Sequence, residues 1–340
     1  MGMIKQVTLY SHPAGVPRVD DFEIKIVEMP QLSAKGVMLK TLWLSLDPLI
    51  HFSIEEKLVT GRAHVRVGDV VYGSAVSRVV ASDHAGFCAG EYVEGRTGWQ
   101  EYAAIDPVTV PLRKIDSAAA PLSTALGVLG LPGQTAHCCI IEIGRVRAGE
   151  TVVISAAAGA VGTLAGQIGK ILGARVIGIA GGAQKCEALV AMGFDAAVDY
   201  KAPDFAKRLA TVCPGGIDVY VENVGGEIMR TVMPMLKYGG RMPLCGFIAE
   251  YPSGLEGIGP DRLPWLMRMI MSKGMEIRGF SGSLLRSDAM IAELTGWVQS
   301  GQLRYPETVV EGLENAPEAF SKMFRDNVNI GKLLVRVAQD

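Results

Sequence analysis

The stretch SAAAGAVGTLAG, residues 155–166, sets small residues at Ala156, Gly159 and Gly162 between an apolar run and a helix-like one. Small side chains at this spacing let backbone N–H groups approach a diphosphate closely. The start of the following helix adds unpaired N–H donors and the positive end of its dipole. The segment predicts a dinucleotide turn in which Ala158, Gly159, Ala160, Val161 and Gly162 face the pyrophosphate. The competing reading is a glycine-rich helix that only packs on a sheet. Its position between strand and helix, within an alternating region, favours the turn.

Choice of cofactor is read at the end of the second strand, where an Asp or Glu would bind the ribose hydroxyls and select NAD. Here ARVIGIAGGAQKCEAL ends the strand in Ala180, Gly181 and Gly182, and Lys185 follows. The nearest acid, Glu187, lies a turn into the helix. A lysine can meet a ribose 2′-phosphate as a point charge, so NADP(H) is the expected cofactor. The plainer reading of Lys185 is an exposed lysine at a helix start.

A catalytic zinc would need Cys and His ligands around an open position. The five histidines (His12, His51, His64, His84, His137) are scattered, and none of the six cysteines forms a CxxC pair. No metal site is predicted. Vicinal Cys138 and Cys139 read as small buried helix residues rather than a redox pair. His51 reads as a packed or surface histidine, with a catalytic role as the alternative.

These groups need elements to hold them. Residues 1 to 125 are mostly β in pattern, with runs such as DFEIKIVEM, GVMLKTLWLSL and DVVYGSAVSRVVA, punctuated at Pro30, Gly36, Pro48, Gly61 and Gly68. From 126 the chain alternates strand and helix, which argues for a parallel sheet with crossover helices. TVVISAA is its first strand. VGTLAGQIGKIL then sets Val161, Leu164, Ala165, Ile168, Ile171 and Leu172 on one helical face. ARVIGIA, AAVDY, IDVYVEN, RMPLCGF and MEIRGF are further strands. KCEALVAM is a helix, and DFAKRLATV and EIMRTVMPMLK are helical or loop stretches. The tail returns to a helix, APEAFSKMF, and an extended NIGKLLVRV.

Composition excludes several classes. The 33 basic and 35 acidic residues leave a net charge of −2 without a long run of one sign, so neither nucleic acid nor an anionic membrane is an expected partner. No stretch is apolar for about 18 residues, so no membrane span is expected. The opening MGMIKQVTLYSHPAG lacks a basic region before a long apolar core, and the scattered cysteines suit reduced thiols; a cytoplasmic location is expected.

LSLDP at 44–48, GWQEYA at 98–103, LGLPGQTAH at 129–137, SAAAGAVG at 155–162 and VENVGG at 221–226 run in one order along the chain, with PLCGFIAEY at 243–251 and NIGKLLV near the end. Together they resemble the zinc-independent prostaglandin reductase and alkenal/enone double-bond reductase family of the medium-chain dehydrogenase/reductase superfamily. The resemblance covers nearly the whole chain. It implies an α/β protein in which a Rossmann-type doubly wound parallel sheet, 126–299, is inserted into a GroES-like mostly-β catalytic domain, 1–125 plus 300–340. It also implies a homodimer joined through the cofactor domains, with MEIRGF as the edge strand.

Carried over residue by residue, the resemblance gives Gly182, Lys185 and Tyr200 to the 2′-phosphate side. Asn223 and Val224 go to the nicotinamide ribose, Cys245 and Gly246 to a strand end beneath the cofactor, and Asn329 to the pyrophosphate or nicotinamide side. Tyr251 lines the substrate cleft as the candidate catalytic donor, with Leu49 and His51 in the same pocket. The chain departs from the family pattern at Leu49-Ile50-His51, usually Tyr-Met-Arg, and at Pro252, usually Asn. A serine usual before the phosphate lysine is also replaced. The loss of a cleft tyrosine at Leu49 implies a more apolar or wider pocket.

Without a metal to polarise an alcohol, hydride transfer suits an acceptor that is already activated, such as an α,β-unsaturated ketone or aldehyde. Hydride adds to the β-carbon, and donors stabilise the charge that develops on the carbonyl oxygen. NADPH:quinone reduction on the same fold is the alternative, and a non-catalytic NADPH-binding protein is the third reading.

Overall fold

The computed structural model describes residues 2–56, 64–251, 261–280, 287–325 and 329–340. They form two compact units: Met1–Leu126 with Glu307–Val328 and Leu333–Asp340, and Gly127–Pro306 with Asn329–Lys332.

In the first unit, strands β1 (Met3–Leu9) and β2 (Phe22–Glu28) pair antiparallel, with Leu9 opposite Phe22. The β-branched and aliphatic run 37–45 becomes β3 (Val37–Ser45), to which β4 (Ala75–Ser82) and β6 (Tyr102–Ile105) pair antiparallel. The sheet continues through β5 (Tyr92–Gly95) and β7 (Arg113–Ile115) on one side. On the other it continues through β15 (Lys332–Arg336) and β14 (Glu307–Glu311). The short helix α1 (Ile50–Ile54) leaves β3 and buries Ile50 and Ile54 with Leu44, Leu46 and Trp99. Helix α8 (Ala316–Arg325) adds Phe320, whose ring meets Trp99 edge-on at 5.6 Å. Burial of one such ring contributes up to about 3 kcal/mol.

The second unit is built on β8 (Thr151–Ile154), β9 (Arg175–Ala180), β10 (Ala196–Asp199), β11 (Ile217–Val221), β12 (Leu236–Leu244) and β13 (Glu276–Gly279). All pair parallel, in the order β10-β9-β8-β11-β12-β13. The chain runs outward from β8 one way and then returns to build outward from β11, so β8 and β11 flank the point where the winding reverses. This is the doubly wound arrangement whose ligand crevice lies beyond the strand ends at that reversal. One face buries Val153, Ile177, Ile179, Tyr220 and Met242 against Leu209 of α5 (Phe205–Val212) and Val232 of α6 (Gly226–Val232).

Helix α3 (Ala160–Ile171) departs from the one-sided pattern read from its sequence: every residue from Gly162 to Gly169 is buried. Helix α2 (Leu131–His137) packs along it, and a distant stretch of chain meets it as well. Gln167 donates from Nε2 to the Arg304 carbonyl at 2.8 Å and accepts the Arg304 N–H at 2.9 Å. β12 also begins inside the stretch read as helix or loop. Pro234 follows the end of α6 and cannot continue its hydrogen bonding, so the chain turns and enters the sheet at Leu236. Cys138 and Cys139 are fully buried in a π-helical turn, Cys138–Ile143, that continues α2 (Leu131–His137).

The tail divides between the units at other points than 300. Residues 300–306 and Asn329–Lys332 go with the parallel sheet. The reason is hydrogen bonding: Gly331 N–H donates to the Ala158 carbonyl at 2.8 Å, and Lys332 N–H to the Pro306 carbonyl at 2.9 Å. Among the described residues no helix is long and apolar enough to cross a membrane.

Candidate functional site

The C-terminal ends of β8, β9, β10, β11 and β12 carry the turns that hold most of the candidate residues. After Ile154 the chain makes a tight turn through Ser155–Gly159, with Ala156 at φ +46 and the Gly159 N–H donating back to the Ala156 carbonyl at 2.9 Å. Gly159 then starts α3 without a side-chain cap. The first N–H groups of α3 therefore have no partner within the helix and no cap, which suits an anion. A Cβ on Gly162 would lie 2.5 Å from the Ala156 carbonyl oxygen and 2.6 Å from Ala157 Cα. Glycine there lets the helix start sit directly on the turn.

Gly331 comes back to this turn from far along the chain. It pairs with Gly159 in a parallel bridge and has φ +71. Asn329, two residues earlier, donates from Nδ2 to the Gly331 carbonyl at 3.4 Å. The structure thus brings Asn329 to the same turn as Ala158–Gly162.

At the end of β9, Gly182 adopts φ +91 and begins α4 (Ala183–Ala191). Lys185 is buried, and burial together with the nearby Lys201 pushes its ammonium down to about 8. Tyr200 follows β10, with its N–H on the Ala180 carbonyl at 3.1 Å. Asp199 closes the arrangement: Oδ1 accepts the N–H of Gly182 and the N–H of Lys201, each at 2.9 Å. The backbone hydrogen bond from Gly182 helps hold its carboxyl below the usual carboxylate range.

At the reversal of winding stands a group that the sequence reading passed over. Glu222 is fully buried one residue beyond β11. Its Oε1 accepts Ser155 Oγ–H at 2.9 Å, Gly225 N–H at 3.0 Å and the Val224 N–H; its Oε2 accepts Tyr220 O–H at 2.6 Å. Burial, followed by the adjacent Glu222, raises the Tyr220 phenol well above its ordinary range. Ser155 Oγ in turn accepts the Asn223 N–H at 2.8 Å, and Asn223 Nδ2 donates to the Ser155 carbonyl at 2.8 Å. One carboxylate thereby sets the path of Asn223, Val224 and Gly225. The signal available in sequence was an acid next to an apolar strand and just before Asn-Val-Gly-Gly, where a carboxylate can satisfy turn N–H groups.

Cys245 and Gly246 follow β12 with their N–H groups on the Glu222 carbonyl, at 2.9 and 3.1 Å, so they lie over the same turn. Burial, then a contact with Cys245, raises the Cys139 thiol well above its ordinary value. Tyr251 is buried, and its hydroxyl oxygen accepts the Phe247 N–H at 3.4 Å. Pro252 lies outside the described residues.

Leu49 and His51 belong to the first unit. Leu49 is exposed at the start of α1. His51 is buried, with Nδ1 on Glu55 Oε1 at 2.8 Å and Nε2 on the Gly15 carbonyl at 2.9 Å. Both ring nitrogens are engaged, so the imidazole ties α1 to the segment around Gly15. Among the described residues no group of three or more His, Cys, Asp or Glu side chains could hold a metal ion.

Two family models match: one described as the N-terminal domain of oxidoreductase over residues 5–111, the other as zinc-binding dehydrogenase over 160–299. The chain is 39% identical to NADPH-dependent curcumin reductase of Escherichia coli (strain K12) over 339 residues, 98% of this chain and 96% of that one. It is 38% identical to prostaglandin reductase 1 of Oryctolagus cuniculus over 333 residues, 96% and 92% of the two chains. The crystal structure of CurA in complex with NADPH from Vibrio vulnificus superposes with a TM-score of 0.91 at 39% identity, covering 99% of this chain and 100% of that one. The chain belongs to the medium-chain dehydrogenase/reductase superfamily and, within it, to the zinc-independent prostaglandin reductase and enone reductase family.

Proposed function

We propose that this protein reduces the activated C=C bond of α,β-unsaturated ketones or aldehydes with NADPH, by hydride addition to the β-carbon and without a metal. The observation that carries the reading is likeness over nearly the whole chain to a curcumin reductase and a prostaglandin reductase. Curcumin is itself a conjugated enone.

The chain fits the cofactor. The uncapped start of α3 and the turn Ala158–Gly162 suit a pyrophosphate, with Asn329 beside it. Gly182, Lys185 and Tyr200 suit a ribose 2′-phosphate, since the end of β9 lacks the acid an NAD-selective chain would carry and the buried cation Lys185 follows in α4. Asn223 and Val224, held by Glu222, take the nicotinamide ribose, and Cys245 and Gly246 lie beneath. The bound cofactor supplies the hydride; the residues here bind, orient and exclude water. Tyr251 is assigned as the donor to the carbonyl oxygen, where negative charge grows as the β-carbon is reduced, and the α-carbon takes its proton from solvent or a phenol. His51 holds α1 in place and thereby positions Leu49.

A homodimer through β13 belongs to the same proposal. β13 is one of the two edge strands of the parallel sheet, and Leu263, Met267 and Met271 of α7 (Leu263–Lys273) are exposed, as is Tyr238 of β12. Light scattering at micromolar concentration should give twice the chain mass, and a monomer refutes the assignment. The six free cysteines fit a reducing, cytoplasmic setting.

Turnover with NADPH on a panel of enones and enals, run beside a panel of quinones, tests the activity. Enone turnover well above quinone turnover is expected. Turnover of quinones alone, or of neither class, overturns the proposal.

A further inference from the structure

The subsite assigned above to a 2′-phosphate contains a second cation. We propose that Lys201, held over Gly181 by the Asp199 bridge, is a specificity-determining contact to the ribose phosphate, so that a pair of lysines selects the phosphorylated cofactor. This rests on the reading of Lys185 and Tyr200 given under Proposed function and adds a residue that neither the glycine turn nor the end of β9 reveals.

The argument begins with register. β9 and β10 are parallel neighbours with Ala180 opposite Asp199, so the residues leaving each strand, Gly181 and Tyr200–Lys201, emerge side by side. Strand ends splay unless something ties them. Here Asp199 Oδ1 accepts one N–H from each turn, Gly182 and Lys201, both at 2.9 Å. The result is close: a Cβ on Gly181 would lie 3.0 Å from Tyr200 Cε1 and 3.1 Å from Lys201 Cε. The phenol ring and the lysine stem therefore cover the backbone at the point from which Gly182 opens α4.

The charges agree with the geometry. Burial, and after it the nearby Lys201, disfavours the Lys185 ammonium. Among the described residues the Lys201 ammonium forms no ion pair or hydrogen bond, and its side chain is exposed. Two like charges brought together repel, and a doubly charged phosphate between them would offset that repulsion. Asp199, held below the usual carboxylate range by the Gly182 hydrogen bond and then by Lys201, offsets part of this charge, while its Oδ1 accepts the N–H groups of Gly182 and Lys201. In the doubly wound fold, an acid at the end of the second strand binds ribose hydroxyls. In this chain the acid stands one strand further out and ties the two turns together.

The test uses the full-length protein and titration calorimetry with NADPH, NADH, adenosine 2′,5′-bisphosphate and 5′-AMP. Lys201→Ala should weaken NADPH and the bisphosphate by about three- to tenfold and leave NADH and 5′-AMP within about twofold, the range of an exposed charge contact. Lys201→Glu should weaken them further, Lys201→Arg should restore most of the affinity, and the difference should shrink as salt is raised. Lys185→Ala is run in parallel. If it discriminates between the two ligand pairs and Lys201→Ala does not, Lys201 is a surface lysine and this proposal fails alone. If neither variant discriminates, the 2′-phosphate subsite itself is misplaced and both readings fall.

Discussion

Replacing Glu222 by alanine should destabilise the parallel-sheet unit and loosen the turn that follows β11. The carboxylate accepts four hydrogen bonds from Ser155, Tyr220, Val224 and Gly225, with Glu222, Ser155 and Tyr220 all fully buried. A buried donor left without a partner costs about 1–3 kcal/mol, so four would give about 4–12 kcal/mol if nothing relaxed. Water entering the space left by the side chain satisfies part of that demand, and neighbouring losses do not add. The expected loss is about 3–5 kcal/mol. Glu222→Gln separates geometry from charge. Its carbonyl oxygen can keep the three partners of Oε1, while its amide N–H groups can donate to the Tyr220 oxygen; the expected loss is about 1–2 kcal/mol. Because the two units need not unfold together, amide hydrogen exchange of β11 and β12 is the appropriate measurement, with NADPH affinity read alongside. Glu222→Ala within about 0.5 kcal/mol of the parent would refute the argument. So would a Gln variant as damaged as the Ala variant, since acceptor geometry would then not be what holds the turn.

Lys185 should make NADPH binding pH-dependent. Its ammonium, ordinarily near 10.5, is pushed down to about 8, so the free protein loses this charge as pH rises through about 8 and binding should take up a proton. Between pH 7 and 9 the NADPH Kd should rise about tenfold while that of NADH stays level, and Lys185→Arg should flatten the NADPH curve; a flat curve for the parent counts against the site. The sign for stability is opposite to that of a salt-bridged lysine: the unfolded chain binds more protons between about 8 and 10.5, so the cofactor-free protein gains stability across that window as pH rises. Gly331→Ala combines φ +71 with a Cβ 1.9 Å from the Pro306 carbonyl oxygen, and should lower the melting temperature and NADPH affinity together; unchanged values would mean that the loop shifts freely. Tyr251→Phe should lower kcat near tenfold, about 1.4 kcal/mol of transition-state stabilisation, with NADPH affinity unchanged. Unaltered kcat and KM would leave Tyr251 as packing that receives the Phe247 N–H.

Local patterns in the chain were enough to specify the parallel-sheet unit, the glycine turn and the acid-free end of the second strand. Each depends on residues within about ten positions of one another: alternation or a helical period, and a glycine where backbone must approach backbone. They place Ala158–Gly162 and Lys185 where the structure has them, after β8 and after β9. They misjudge α3, because a helix covered on a second face looks amphipathic only until the covering chain is known, and Gln167 meets Arg304 across 137 positions. Tertiary structure alone decided the rest. Ser155 reaches Glu222 across 67 positions and Gly182 reaches Asp199 across 17, because parallel pairing sets the ends of separate strands side by side. His51, open in sequence to a role in the pocket, is spent on Glu55 and a carbonyl. An ionisable residue carries the same letter whether it faces a ligand, a backbone N–H or water. Which of these it faces depends on strand order and register, and those are set by burial summed over the whole sheet.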